Sequence, residues 1–285
     1  MTVRGAIHTF LAALEGVKAP ATVHWYSHRL AGLEARLGDC RLAQLTHSDL
    51  RQWRSALVRR NLSSWTRHGH VRAVRRLFRW LEIEGHTEKN LAARLELPPL
   101  DFVPCRGIDF ADMLAMVRAA RDSPRDYALV LLLADTAARV GGVAGLTVKD
   151  LDLSGGRAFV REKGSKTRPV YFGPRTAEAL AAYIDQRRTG PVFLSEKGGR
   201  RLLEGGIYRV LKRLAARAGV TDHWNPHSFR HGAARAMLRR GANLAQVSQI
   251  LGHSDVSVTV KFYGSFVDEE LKQLHGRYSW VSGED

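Results

Sequence analysis

Apolar positions recur at helical spacing through the first third of the chain. Val23, Tyr26, Leu30 and Leu33 keep one face, and Leu50, Trp53 and Leu57 keep another. Val71, Val74, Leu77, Phe78 and Leu81 continue the pattern, so residues 1–96 are expected to form a small helical domain of short amphipathic helices. Thr46 ahead of Asp49 and Leu50, and Ser63-Ser64 ahead of Trp65, are residue types that start helices, and Gly85 is one that stops them. The run Leu97-Pro98-Pro99-Leu100-Asp101-Phe102-Val103-Pro104 lacks periodicity and its prolines cannot continue a helix, which predicts a linker over 97–105.

Residues 106–285 then read as a second domain. Helical patterns cover 110–120 and 127–138, the latter almost wholly apolar and so buried on most sides. The period changes to strand-like runs over 157–161 and 168–172 around the polar turn 162–167, with a third strand expected at 191–195. Helical patterns resume over 176–188, 204–218, 229–240 and 244–251, Gly241 and Gly252 marking ends, and a last short helix is expected at 266–274. The fold class is therefore mainly α with a small β-sheet (α+β).

Charge narrows the list of partners. Lys and Arg number 44 against 28 Asp and Glu in 285 residues, a net charge of +16 that suits a polyanion. Between Arg51 and Trp80 stand nine arginines and no acidic residue: Arg51, Arg54, Arg59, Arg60, Arg67, Arg72, Arg75, Arg76 and Arg79. A solvated helix face usually mixes signs, so a run this one-sided, interleaved with Trp53, Trp65, Phe78 and Trp80, points to a nucleic-acid backbone. Cys40 and Cys105 alone support neither a disulfide framework nor a thiolate metal site, and neither a secretory leader nor a bilayer-length apolar run is present. A cytoplasmic, nucleoid-associated home is expected.

The residues with chemistry lie in the second half. Arginine offers a planar fork matched to phosphate oxygens, so Arg139 and Arg230 are candidates to hold both non-bridging oxygens of a phosphodiester. Tyr263, ten residues past His253, is the candidate nucleophile; a phenol of pKa about 10 needs a strongly cationic setting, which neighbouring Arg, Lys and His supply. Each has a plainer reading: Arg139 as a helix-end cation, Lys163 as a turn lysine, His253 as a capping neighbour, Tyr263 as core beside Phe262 and Phe266. His227 and His231, four apart, are at most half a zinc site, without the glutamate of the zinc-protease pattern or a third ligand, so no metal is expected.

Taken in order, Arg139, Lys163, Pro226-His227-x-x-Arg230-His231, Leu251-Gly252-His253 and Tyr263 resemble the tyrosine recombinase, or phage integrase, family. The likeness spans almost the whole chain: loose in the first half, where Leu45-Thr46-x-x-Asp49-Leu50 is similar to that family's helical SAM-like core-binding domain, and specific in the second. It implies that Tyr263 attacks DNA to form a 3′-phosphotyrosyl link while Arg139 and Arg230 clamp the phosphate. Lys163 would protonate the departing 5′-oxygen, and His227 and His253 would assist the phosphate or the tyrosine's proton. Lys166 and Arg168, beside the turn, are expected to contact DNA. The resemblance further implies no cofactor, double-stranded DNA as partner, a homotetramer in the synaptic complex from a monomer in solution, and accessory DNA-bending proteins. The size resembles Xer-type recombinases, with no room for an extra N-terminal arm-binding domain.

Three departures stand out. Gly142 occupies the position, three after the arginine, where the family commonly has an acid; Ala137-Ala138 replaces Gly-Leu; and the gap from His253 to Tyr263 is one residue longer than usual. Three rival readings are a silent DNA-binding protein of the same fold, a type IB topoisomerase, and a metal-dependent nuclease. The last needs clustered carboxylates, and segments 157–172 and 225–240 contain only Glu162.

Overall fold

Thr2 begins the first helix by accepting a hydrogen bond from the Gly5 amide on its side-chain hydroxyl (3.2 Å). The structure, a computed structural model, describes residues 1–101, 107–162, 167–196, 198–252 and 255–263, apart from the side chains of 258, 261 and 262. The chain divides into two units, Met1–Val103 and Pro104–Asp285.

In the first unit, α1 (Val3–Leu14), α2 (Pro20–Leu37), α3 (His47–Arg59) and α4 (Ser64–Ile83) enclose one core. Reciprocal capping fixes the start of α3: the Asp49 amide donates to the Thr46 hydroxyl at 3.3 Å and the Thr46 amide donates to the Asp49 carboxylate at 2.9 Å. Ser63 caps α4 by accepting from Thr66 at 3.2 Å. The periodic apolar residues then turn inward: Leu30 and Leu33, Leu50 and Trp53, Val71, Val74, Leu77, Phe78 and Leu81 are all buried, together with Ile7 and Phe10 of α1. Each such side chain contributes about 1.5–3 kcal/mol of burial, enough in sum to hold four short helices that would not persist alone.

The second unit contains α5 (Phe110–Ala119), α6 (Pro124–Thr136), α7 (Val140–Gly145), β1 (Leu151–Asp152), β2 (Arg157–Arg161) and β3 (Thr167–Tyr171). It continues through α8 (Pro174–Ile184), α9 (Glu204–Ala218), α10 (Pro226–Arg239), α11 (Leu244–Leu251) and α12 (Val256–Tyr263). As its composition predicts, α6 is the central helix, with Ala128 through Leu133 all buried. The sheet is antiparallel in the order β1-β2-β3, and its register runs from Leu151 opposite Ala158 to Arg161 opposite Thr167. Ala158, Val160 and Val170 enter the core while Arg157, Phe159 and Arg161 face outward.

The strand expected at 191–195 does not form. Pro191 and Leu194 make only isolated bridges, to Thr147 and Arg201, and Leu151–Asp152 is the third strand instead. The backbone of 191–195 is shared among scattered partners instead of one ladder: Arg187 donates to the carbonyls of Pro191 (2.9 Å) and Val192 (3.0 Å), the Leu194 amide donates to the Tyr183 hydroxyl (3.0 Å), and single backbone bonds join Val192 to Leu146, Phe193 to Leu202 and Ser195 to Arg200. Val192 and Phe193, adjacent in sequence, are both buried, which no half-buried strand permits. The helix expected to reach residue 188 stops at Ile184, because Asp185 adopts a positive φ of 52°. Asn225 accepts from the Ser228 amide at 3.1 Å and so starts α10 at Pro226, which brings His227 into its first turn. The helix expected at 266–274 lies outside the described residues.

Candidate active site

Two sharp backbone features place the arginines. Ala137 ends α6 in the left-handed region (φ 52°), and the Thr136 hydroxyl locks that turn by donating to the Leu132 carbonyl (2.6 Å) and accepting from the Ala138 amide (3.2 Å). The chain then reverses into α7 with Arg139 at its N-cap position, so Arg139 is not the cation completing the C-terminal dipole of a helix. The turn also aims the Ala137 carbonyl at α10. There the Arg230 guanidinium, on a residue 6% exposed, donates from Nη1 to Ala137 (2.7 Å) and from Nη2 to the Leu251 carbonyl at the end of α11 (2.6 Å).

Burial first, and then the positive charges of Arg139 and Arg168, lower the Arg230 pKa to about 10, with Glu162 and Tyr263 acting the other way. At about 10 the side chain is still charged at neutral pH. The site is thus a desolvated cation with like charges around it, and an anion arriving there would gain from all of them. Gly252 helps to shape it. It ends α11 at φ 66°, and a Cβ there would lie 2.7 Å from Arg168 Cδ. The missing side chain lets Arg168 reach the carbonyls of Ile250 (2.9 Å) and Leu251 (3.2 Å). Arg168, expected to meet DNA, therefore has its guanidinium occupied within the protein, also pairing with Glu162 at 2.9 Å.

Tyr263, the last residue of α12, is 1% exposed and packs with Ala137, Ala234, Leu238, Val247 and Leu251. Its hydroxyl lies 2.5 Å from Nδ1 of His231, one residue after Arg230. The structure thus brings Arg139, Arg230 and Tyr263 into one neighbourhood, with His227 exposed on the first turn of the same α10. Lys163 and Lys166 fall between β2 and β3 and, like His253, lie outside the described residues. Sequence reasoning passed over His231 as the partner of the phenol and Glu162 as the partner of Arg139. The signal for the second was available: one acid alone in a strongly basic stretch.

Among the described residues, no three His, Cys, Asp or Glu side chains converge as a metal site requires, and no helix is long and apolar enough to cross a membrane. In the first unit, Arg51, Arg59, Arg60, Arg72, Arg76 and Arg79 are exposed, whereas Arg54, Arg67 and Arg75 are half-buried. Arg54 donates to the Glu96 carbonyl and carboxylate, each at 3.2 Å. Arg72, Arg76 and Arg79 share the solvent face of α4, opposite its buried stripe, and Arg72 also stacks on Trp25 with its guanidinium 5.2 Å from the ring centre.

Comparison with known proteins agrees with both halves. Residues 107–269 match the model of the phage integrase family, and residues 7–85 match that of the phage integrase N-terminal SAM-like domain. The chain is 31% identical to the tyrosine recombinase XerC of Oceanobacillus iheyensis over 94% of each protein, and 30% identical to the tyrosine recombinase XerD of Vibrio cholerae over 96% of each. Its fold resembles that of a lambda integrase dimer bound to a COC′ core site (TM-score 0.75, 18% identity, 90% of this chain and 97% of that one). It also resembles the Tn1549 transposon integrase in complex with transposon right end DNA (TM-score 0.76, 20% identity, 98% and 100%). The two matched domains and the full-length likeness to XerC and XerD place this chain in the phage integrase family.

Proposed function

We propose that this protein is a site-specific DNA recombinase that cuts and rejoins DNA through a phosphotyrosyl intermediate. The observation carrying this reading is the juxtaposition, within one unit, of a buried double-carbonyl-anchored Arg230, a neighbouring Arg139 and a Tyr263 hydroxyl held by His231. The first two form a receptor for a phosphodiester and the third is a nucleophile for it.

In the reaction, Tyr263 Oη bonds to phosphorus as the bond from phosphorus to the 5′-oxygen breaks. The phenol proton passes toward a base, for which His231 Nδ1 is the atom in contact. The departing 5′-oxygen takes a proton from Lys163. The product pair is a 3′-phosphotyrosyl protein and a free 5′-hydroxyl, and attack by a hydroxyl from another strand reverses the step with exchange. The phosphodiester bond energy is kept in the phosphotyrosine, so the chemistry needs no nucleotide and no metal. Arg139 and Arg230 stabilise the crowded phosphorus centre, each such donor being worth ~10²-fold or more in rate. His227 and His253 serve the same phosphate, and a tetramer on DNA brings four such centres together. The exposed arginines of α3 and α4 give the sequence-independent grip, and the protein acts where its DNA is, in the cytoplasm.

The test is covalent trapping. A core site selected from a randomised duplex pool by binding to the Tyr263→Phe protein is rebuilt with a nick, and wild type is incubated with it in EDTA. The expected result is a slow-migrating protein–DNA adduct from wild type and none from Tyr263→Phe. Absence of adduct on DNA shown to be bound would favour a silent binding protein instead.

A further inference from the structure

A carboxylate sits among residues suited to gripping phosphate. Glu162 follows the last residue of β2, its side chain is 9% exposed, and its two oxygens are shared between the guanidiniums of Arg139 and Arg168. Arg168 in turn donates to the Ile250 and Leu251 carbonyls, and the Leu251 carbonyl also accepts from Arg230. A continuous line of polar contacts therefore joins Arg139 to Arg230 through Glu162, Arg168 and the end of α11. The charges of Arg139 and Arg168 both act against that of Arg230, and Glu162 acts the other way, so removing the carboxylate would raise the like-charge repulsion among the three. Position 142 cannot supply the acid: it is glycine, and a Cβ there would already lie 3.2 Å from Val160 Cβ.

Two roles are open to such a group: competitor for the phosphate site, or support for it. A competitor must leave when DNA arrives. Glu162 is poorly placed to leave, being nearly buried and held on its second oxygen by an arginine that is itself tied to α11. Arg139, by contrast, is 40% exposed, and a guanidinium has five N–H donors, of which the pairing with Glu162 engages Nη1. The rest of the fork remains to meet an incoming oxygen.

We infer that Glu162 is a positioning residue for the cleavage step, its carboxylate fixing the plane of Arg139 and coupling it through Arg168 and the Leu251 carbonyl to Arg230. The inference rests on the reading of Arg139 and Arg230 as the phosphate clamp. Its magnitude follows from alignment: misplacing a reacting group by about 1 Å costs ~10²-fold in rate.

The experiment measures single-turnover cleavage of the nicked core site and duplex affinity separately, for wild type, Glu162→Gln, Glu162→Asp, Arg139→Lys and the Glu162→Gln/Arg139→Lys double variant. The expected result is cleavage slowed ~10²-fold in Glu162→Gln with duplex affinity kept. Glu162→Asp is expected to cleave at an intermediate rate, and the double variant no more slowly than Arg139→Lys alone. Full-rate or faster cleavage by Glu162→Gln would make Glu162 a bystander or a competitor and overturn the inference. Additive losses in the double variant would also overturn it, since a general weakening of the fold does not depend on Arg139. Should Glu162→Gln fail to fold, Glu162→Asp decides, with wild-type cleavage counting against. No adduct from wild type would instead defeat the recombinase reading beneath it.

Discussion

Arg230 surrenders nearly all of its hydration to sit between two carbonyls, a placement whose value depends on geometry as much as on charge. Lysine keeps the charge but cannot span both carbonyls and still present donors outward. Arg230→Lys is therefore expected to cut single-turnover cleavage by ~10²-fold or more while duplex affinity, dominated by other cations, changes little. Gel-resolved adduct formation alongside a binding titration checks both halves. At this scale the order of residues singled out Arg139, Arg230 and Tyr263, which stand far apart in sequence and which the structure places in one neighbourhood. What stayed hidden were pairings. Glu162 meets Arg139 across 23 positions and His231 meets Tyr263 across 32, and no local pattern encodes either. Arg168 reads as one more surface cation until the glycine at 252 is seen to open its path to α11.

Among the elements, α4 has the clearest division of labour. Its inner stripe is sealed in the core of the first unit, and Arg72, Arg76 and Arg79 leave the opposite face cationic. Replacing these three by glutamine should flatten the dependence of log affinity on log salt by about 2.7, at roughly 0.9 for each phosphate no longer neutralised. Cleavage within the saturated complex is expected to stay at the wild-type rate. A titration of duplex binding over a salt series, paired with single-turnover cleavage at saturating protein, separates the two. The long periodic helices were legible because their cores demand the pattern, and the caps at Thr46 and Ser63 because hydroxyl-to-amide bonding is local. A two-residue strand such as β1 and a six-residue helix such as α7 are too short to show a period. The error at 191–195 has a different source: its backbone partners are divided among the Arg187 and Tyr183 side chains and single bonds to Leu146, Leu202 and Arg200, so no ladder forms.

On the scale of the whole molecule, a net charge of +16 favours polyanions without regard to sequence, so a DNA-binding member of this family is expected to visit much duplex that is not its site. Most of the DNA it meets is then the wrong DNA, and a reactive phenol held permanently open would be a hazard to every stretch it visited. Tyr263 is instead shut beneath Val247 and Leu251, its hydroxyl engaged by His231. Each 1.4 kcal/mol or so by which that packing favours the buried over an exposed phenol lowers tenfold the standing fraction of molecules with the hydroxyl exposed. Loosening this packing without touching the proposed reacting groups, as in Val247→Ala, is expected to raise adduct formation on unrelated duplex relative to the core site, read from the ratio of the two trapped products. A rise in that ratio would mean that the tightness of a small apolar cluster, and not only the reading of bases, bears on how faithfully strand cutting is confined to the place of exchange.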